Sequence, residues 1–460
     1  MKIDVKVKNL GKIKEAEFKI RPMTVITGSN GTGKSFFTKS LYSILNVVNK
    51  NVYYEAISET LRQLQLQLFS YTSMINMSDE NGKFLNTIKL DIAELQTDFD
   101  DARKWKINDY LNFSDSKLAN AKKIQNNYYL YRDKLKDDAE KIKIGSIKVI
   151  SNTIEKLVSQ LTGESGYYTR LVINHIENEL KDNFQISSLN ELISFNEKKM
   201  EISVDHLFNI SFSEKINSLS LGADFIDEIA SLSSVVFFES PAYWKVKDAL
   251  NMAKEKTSAL LSSTQNISDF LTGVPKYFYD LDNRLKINTK TIGDFETVAN
   301  SLEKVLGGEF FFKGDNLSFK DKETGREISK HLVSFGMTNL GMIHALLKHN
   351  IITAGSFVFI DEPETNLHPD WQLILMNALL SLAEKGVNIV ITTHSTDILK
   401  SLEVGIKKRK IDNVNEFLSV HFVDLDGYLL KFDSDAADVQ LTEAISLLNS
   451  TYSDLYFSGL

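Results

Sequence analysis

The run Met23-Thr24-Val25-Ile26-Thr27-Gly28-Ser29-Asn30-Gly31-Thr32-Gly33-Lys34-Ser35 decides the fold. A short apolar stretch (Val25, Ile26) ends in a glycine-punctuated turn, and Phe36–Leu45 follows with helical spacing. The order predicts strand, loop and helix, with the spacing G-x-x-x-x-G-K-S from Gly28 to Ser35. Glycines let successive backbone N–H groups curl around phosphate oxygens, where a Cβ would block the approach. The helix start adds free N–H groups and a partial positive charge. Gly28, Ser29, Asn30, Gly31, Thr32, Gly33, Lys34, Ser35 and Phe36 therefore form the expected binding loop. Lys34 is expected to reach the β/γ-phosphates and Ser35 to ligate Mg²⁺. The stretch reads as a site for a nucleoside triphosphate with Mg²⁺.

The chain has 460 residues, 43% of them hydrophobic and 25% charged, which is ordinary for a soluble globular protein. A net charge of −8 argues against coating nucleic acid by bulk electrostatics, though it leaves room for a local basic patch. With no cysteine there is no disulfide framework, thiolate metal site or cysteine nucleophile. No apolar run approaches the ~20 residues of a membrane span. Met1–Lys8 alternates like a strand rather than a signal peptide, so the expected setting is the cytoplasm.

Ile3–Val7 and Ala16–Ile20 read as strands joined by a turn at Asn9-Leu10-Gly11. This pair, with Asn9-Leu10-Gly11-Lys12-Ile13-Lys14-Glu15-Ala16 leading into the phosphate loop, resembles the opening of ABC-type ATPases of the RecF, SMC and OLD branch. From Asn46 to Ser231 there is no proline, and apolar residues recur at helical spacing, as in Ile57, Leu61, Leu64 and Leu68. Residues 46–231 are therefore expected to be a helical insertion. Candidate breaks are Asn81-Gly82, Gly145 and Gly163–Gly166, and Phe113–Lys143 is a candidate coiled-coil-like arm. Gln63, Gln65 and Gln67 are poor candidates for a Q-loop glutamine because they sit in that helical pattern.

Ser234–Phe238 reads as a strand buried on both faces, where the chain returns to the ATPase core. A helical stretch is expected over Tyr243–Leu271. Gly307–Ser334 alternates as a small antiparallel meander turning at Gly314-Asp315. It leads into Val333-Ser334-Phe335-Gly336-Met337, which stands where the family has a Ser-x-Gly signature. The resemblance implies that Ser334 and Gly336 contact the γ-phosphate held by a partner subunit, with Phe335 departing from the small residue usual there.

Ser356–Glu364 is a second strong stretch, an apolar strand delivering Asp361 and Glu362. Ligands of such sheets sit beyond the carboxyl ends of the strands. Asp361 is the candidate Mg²⁺ ligand, and Glu362 the group that orients the attacking water. Asp361-Glu362-Pro363-Glu364 and Leu367-His368-Pro369 closely resemble the OLD/RecF-like pattern, with His368 read as a loop residue. Val387–Thr392 is a further strand ending at His394, which the resemblance makes the switch residue that touches the γ-phosphate. Lys407-Lys408-Arg409-Lys410 reads as a solvated basic face, Phe417–Phe432 as a hairpin turning at Asp426-Gly427, and Val439–Asn449 as a helix.

The expected fold is α/β: a P-loop ABC-type ATPase head with a mixed or parallel sheet, an antiparallel meander and a helical insertion lobe. The head is assigned to residues 1–45 and 232–460. The resemblance implies a head-to-tail homodimer, or a higher oligomer, closed by ATP. Three roles compete for the machine, and a transporter nucleotide-binding subunit is set aside because the chain is too elaborated and lacks coupling-loop character, which leaves two. One is an ATPase subunit of an anti-phage defence system of the PARIS or Septu type, answering a phage protein and controlling a separate nuclease effector, since no Toprim-type nuclease fits after His394. The other is a RecF- or SMC-like DNA-repair ATPase.

Overall fold

In a computed structural model, residues 1–73, 80–101, 107–134, 141–162, 166–239, 242–244, 246, 273–286, 293, 295–313 and 316–457 are described. The expected turn at Gly314-Asp315 and most of the expected helix Tyr243–Leu271 lie outside them. Two compact units are present: residues 1–49 with 176–460, and residues 50–175.

The first unit is built on a five-stranded parallel sheet. Its strands are β3 (Met23–Thr27), β7 (Val235–Phe238), β11 (Phe357–Asp361), β12 (Asn388–Thr392) and β13 (Leu418–Phe422). The order is β13-β3-β12-β11-β7, every neighbour parallel. All five strands are buried along their whole length, so Val235–Phe238 and the apolar part of Phe357–Asp361 read as apolar runs, whereas Leu418–Phe422, expected as the first strand of a hairpin, carries Ser419 and His421 and pairs parallel with β3.

A second, antiparallel sheet has the order β2-β1-β4-β5-β6. It begins with the hairpin of β1 (Ile3–Leu10) and β2 (Ile13–Ile20), where Ile3, Val5 and Val7 point inward while Lys6 and Lys8 face water. Helix α1 (Lys34–Val48) lies between the two sheets. Its Phe37 stacks on Phe18 of β2 at 3.8 Å between ring centroids, and its Tyr42 meets Phe237 of β7 and Phe359 of β11. A helix covered on two sides is buried nearly all round, and most of α1 is, small polar residues such as Thr38, Ser40 and Ser43 included.

The helical insertion ends earlier than expected. Lys199–Val204 (β4), Phe208–Ser213 (β5) and Ser218–Leu221 (β6) are strands, and β4 pairs antiparallel with β1. Met200, Ile202, Val204, Phe208, Ile210 and Phe212 are buried at a spacing of two, the period of a half-covered sheet. The meander is a three-stranded antiparallel sheet of β8 (Gly308–Lys313), β9 (Asn316–Asp321) and β10 (Glu327–Ser329).

The second unit packs α2 (Val52–Thr72), α3 (Glu80–Asp101), α4 (Ile107–Lys134) and α5 (Lys141–Leu161) around one core. Ile57, Leu61, Leu64 and Leu68 of α2 face Ile88, Ile92 and Leu95 of α3, Ile124 and Tyr128 of α4, and Ile154 and Leu157 of α5. The expected arm over Phe113–Lys143 is not a two-helix projection, because α4 and α5 share their core with α2 and α3. Two expected breaks are also corrected. Gly145 lies inside α5 and Asn81-Gly82 inside α3, since a single glycine costs a helix only about 1 kcal/mol and packing offsets it. Residues 163–165 of the third break lie outside the described residues. Tyr128 donates to the Ile147 carbonyl at 3.2 Å, and the Tyr71 and Tyr131 hydroxyls meet at 3.2 Å, so these tyrosines are core groups.

His421 on β13 is buried against Phe18, and its Nε2 accepts the Lys19 N–H at 3.1 Å. Burial drives its pKa down to about 4, from 6.5. The unfolded chain therefore holds this proton more tightly, so stability is whole above about pH 6.5 and is lost as pH falls toward 4. One such histidine removes about 2 kcal/mol between pH 7 and pH 5. Urea denaturation of wild type and His421→Gln at both pH values should show that share of the acid loss missing in the variant.

Candidate active site

The carboxyl ends of β3, β12, β11 and β7 lie side by side, and the chemistry-bearing residues leave the sheet along that edge. β3 runs into the loop 28–33. Gly28 has φ +131°, and a Cβ there would lie 2.2 Å from the Val423 carbonyl oxygen, so only glycine fits. Gly33, at φ +104°, caps α1, whose first turn carries no acidic residue. That helix start is left electropositive. The Lys34 ammonium curls back and donates to the carbonyls of Gly28 at 2.9 Å and Ser29 at 2.7 Å. Burial lowers the Lys34 pKa, and Glu362, Asp361 and Glu364 pull it back up.

β11 delivers Asp361, whose Oδ1 accepts from the Ser35 hydroxyl at 3.0 Å and from the Thr392 hydroxyl at the end of β12. Ser35 and Asp361 thus offer hard oxygen donors side by side, the set that suits Mg²⁺. Glu362 adopts φ +49°, a left-handed conformation unusual for a side chain larger than glycine. Its N–H donates to the Thr392 carbonyl at 3.0 Å, which holds the turn. The side chain turns toward His394, whose Nδ1 lies 3.5 Å from both Glu362 Oε1 and Glu364 Oε1, and Glu362 and His394 are each 43% exposed.

The structure therefore gathers the phosphate loop, Lys34, Ser35, Asp361, Glu362 and His394 at one edge. Ser334 and Gly336 stand elsewhere. Ser334 caps helix α10 (Phe335–Lys348; α6–α9 are Tyr167–Phe184, Phe225–Ala230, Lys276–Lys286 and Glu296–Leu306) by accepting the Met337 N–H at 3.2 Å. A Cβ on Gly336 would lie 2.9 Å from the Asn366 carbonyl, so the signature turn packs against the loop after Glu362. Neither residue lines the cavity at the phosphate loop, whose described walls are Gly11, Lys12, 30–36, Asn190, Glu191, Ile193, Phe195 and Glu362. Leu332 and Phe335 beside the signature are exposed.

Two acidic residues at this edge had no role in the sequence reading. Glu364 buries its carboxylate and accepts from Thr393 Oγ1 at 2.8 Å and from the His394 N–H at 3.1 Å, so it positions the histidine. Its signal was in plain view, as the last residue of Asp361-Glu362-Pro363-Glu364. Glu239 follows β7, receives the Tyr277 hydroxyl and lies 3.8 Å from the Lys39 ammonium. Burial raises its pKa, Lys39 opposes the rise, and Asp361 and Glu362 add to it. Glu239 was legible only as the stop of an apolar run.

A family model described as "AAA ATPase domain" (AAA_15) matches residues 1–399. The chain belongs to that family. This ATPase-domain chain is also similar to the SMC head domain from Thermotoga maritima, at 10% identity over 94% of this chain and 100% of that one, with a TM-score of 0.37. It is similar to the Smc head domain with an extended coiled coil from Pyrococcus furiosus, solved bound to the C-terminal domain of ScpA, at 11% identity over 98% and 99% of the two chains, with a TM-score of 0.39. For the ADP conformation of MJ1267, an ATP-binding cassette of an ABC transporter, identity is 13% over 56% of this chain and 79% of that one, and the TM-score is 0.24. No curated protein matches the chain. At these scores the structural likenesses carry no argument, and the assignment rests on the family model. No helix among the described residues is long and apolar enough to cross a membrane.

Replacing Glu364 with alanine leaves the Thr393 hydroxyl and the His394 N–H without their acceptor. Denaturant unfolding should show a loss of about 1–3 kcal/mol. Glu364→Gln, which keeps an acceptor oxygen, should lose less.

Proposed function

We propose that this chain binds ATP at the loop 28–35 and hydrolyses it between two copies arranged head to tail. The observation that carries the proposal is the meeting of phosphate loop, Asp361, Glu362 and His394 at one sheet edge, in a chain of the ATPase-domain family. Lys34 and the free N–H groups at the start of α1 bind the phosphates. Ser35 and Asp361 would hold Mg²⁺, which neutralises phosphate charge when bound. Glu362 orients and polarises the attacking water, and His394, steadied by Glu364, faces the γ-phosphate. Ser334 and Gly336 present a second helix N-terminus away from the chain's own cavity, and exposed Leu332 and Phe335 flank it. That placement supports their use on a nucleotide held by the partner copy. ATP then closes the pair and hydrolysis opens it, a shift of population driven by γ-phosphate contacts.

For the output of the cycle we propose control of a separate effector, a nuclease, in a cytoplasmic anti-phage defence assembly triggered by a phage protein. An SMC- or RecF-like role on DNA accounts for the family membership equally well. One observation weighs against a DNA path along the basic cluster. Lys407 is paired with Glu403 at 2.6 Å, and Arg409 bonds Glu384, Asn377 and Ser381, so two of the four cations are engaged within the chain.

Lys34→Ala should weaken ATP binding roughly a hundredfold by removing charge-assisted hydrogen bonds worth about 1.5–3 kcal/mol each. Glu362→Gln should keep ATP bound, lower kcat by about 10²–10⁴ and leave a long-lived dimer in size-exclusion chromatography with light scattering. An unchanged turnover in Glu362→Gln sinks the water-orienting role. Capture of tagged Glu362→Gln from its host with ATP should bring down a nuclease in fixed ratio, whereas DNA without a protein partner favours the SMC-like role.

A further inference from the structure

Gln372 lies in the first turn of helix α11 (Pro369–Glu384), only 7% exposed, and its side chain serves two loops at once. Its amide nitrogen donates to the Leu367 carbonyl at 3.1 Å, and its amide oxygen accepts from the Ser395 hydroxyl at 3.4 Å. A carbonyl can only accept, so the Leu367 contact takes the nitrogen end of the amide and leaves the oxygen to Ser395. Burying an amide is costly unless its ends are bonded, and here each end goes to a different segment. Leu367 closes the loop that opens at Glu362, and Ser395 directly follows His394. Gln372 itself is not among the walls of the phosphate-loop cavity.

The loop 362–367 makes two successive turns, with the Thr365 N–H donating to the Glu362 carbonyl and the Leu367 N–H to the Glu364 carbonyl, each at 3.0 Å. Asn366 is left-handed at φ +61°, as Glu362 is at φ +49°. Such a conformation costs on the order of 1 kcal/mol or more and persists only where the surroundings hold it. Glu364 holds the middle of the loop to Thr393 and His394, and Gln372 holds its exit. On the other segment, the Thr393 N–H donates to the Ile26 carbonyl at 3.1 Å, so the chain is fixed to the sheet up to that residue. His394 then leaves the sheet, and Ser395 caps α12 (Thr396–Arg409) by accepting the Ile398 N–H at 3.4 Å. The histidine is bracketed: Glu364 binds the residue before it, and Gln372 the residue after it.

We propose that Gln372 is a positioning residue for ATP hydrolysis, clasping the loop after Glu362 to the segment that carries His394 and so holding Glu362 and His394 at one spacing. The support is rigid, because α11 is seated in the core through Leu375, Leu379 and Leu382. Only an amide fits both partners, since a carboxylate would set an acceptor against the Leu367 carbonyl and a thioether offers no donor. Without the clasp, the loop exit and Ser395 can part, and His394 shifts against Glu362. A misplacement of about an ångström around reacting groups costs on the order of a hundredfold in rate. The inference rests on the ATP-hydrolysing reading of the site and adds a residue to it.

The test compares ATP turnover with ATPγS affinity in the full chain, using radiolabelled ATP to reach the low rates of impaired variants. Gln372→Met keeps the length of the side chain and removes both hydrogen bonds. Its ATPγS affinity should stay within about twofold of wild type while kcat falls about ten- to a hundredfold. Added to His394→Ala, the same substitution should cost less than about a further twofold in kcat, because the clasp acts through that histidine. Ser395→Ala cuts the link from the other side and should lower kcat in the same pattern. It carries the test if the thermal midpoint shows that Gln372→Met does not fold. An unchanged kcat in the folded variant overturns the inference. So does a loss of ATPγS affinity that matches the loss of kcat, and so does a full loss of kcat on top of His394→Ala. If Glu362→Gln turns over as wild type does, the reading of the site falls and takes the clasp with it. If Glu362→Gln is inactive and Gln372→Met is not, the clasp alone falls.

Discussion

One oxygen of the Asp361 carboxylate ties together the exits of three strands. It accepts from Ser35, at the start of the helix that follows β3, and from Thr392, the last residue of β12. A carboxylate this deeply buried is tolerated only when it is hydrogen-bonded, so both hydroxyls have to be in place. The ladder obliges, pairing Asp361 with Thr392 and Thr392 with Ile26. A one-residue slip of β11 would turn Asp361 to the opposite face and bury it without either partner. The same register fixes Glu362, whose N–H reaches the Thr392 carbonyl, and sets His394 two residues past that threonine. Sheet register and site geometry are therefore a single constraint.

Where backbone demands are local, the residues declare them. The glycines of the phosphate loop, the fully apolar strands and the acidic pair after β11 each carry a steric or solvation requirement that few other residues meet, and they were readable without coordinates. The antiparallel sheet was only half readable. Its first hairpin is continuous in sequence, whereas β4 reaches β1 from nearly two hundred residues away. Met200-Glu201-Ile202-Ser203-Val204 does alternate, yet it sits at the end of a long helical stretch whose polar composition masked it. Glycine misled in the other direction. Gly82 and Gly145 read as breaks but are absorbed by helices that pack on the shared core.

The site divides in the same way. Lys34, Ser35, Asp361, Glu362 and His394 are each set at a strand end, so motif order alone predicted their company. Ser334 and Gly336 were read correctly as a helix start, and only the fold shows that the start stands apart from the chain's own cavity. Glu364 stands inside the acidic motif and its signal was local, whereas nothing local marks Glu239. Glu239 depends on β7 lying next to β11. Residues whose meaning comes from a neighbour distant in sequence are the ones that sequence leaves silent.

The balance of charge at this edge narrows what can bind there. Asp361, Glu362, Glu364 and Glu239 lie close enough to shift Lys34 or one another. The nearby cations include Lys12 on the cavity wall, Lys34, with two of its three donors on the carbonyls of Gly28 and Ser29, and Lys39, which faces Glu239. A bare polyphosphate entering from the loop would gain the helix start and Lys34, then meet carboxylates where its terminal charge is greatest. An anion that brings its own divalent cation would meet them on favourable terms, because Ser35 and Asp361 are the oxygen donors that would hold the cation and its charge would offset the carboxylates. On the proposed reading of the site, the acids around the phosphate loop would thus favour a metal-bearing nucleotide. Burial is the main cause of the raised Glu239 pKa, and the charges of Asp361 and Glu362 add to it.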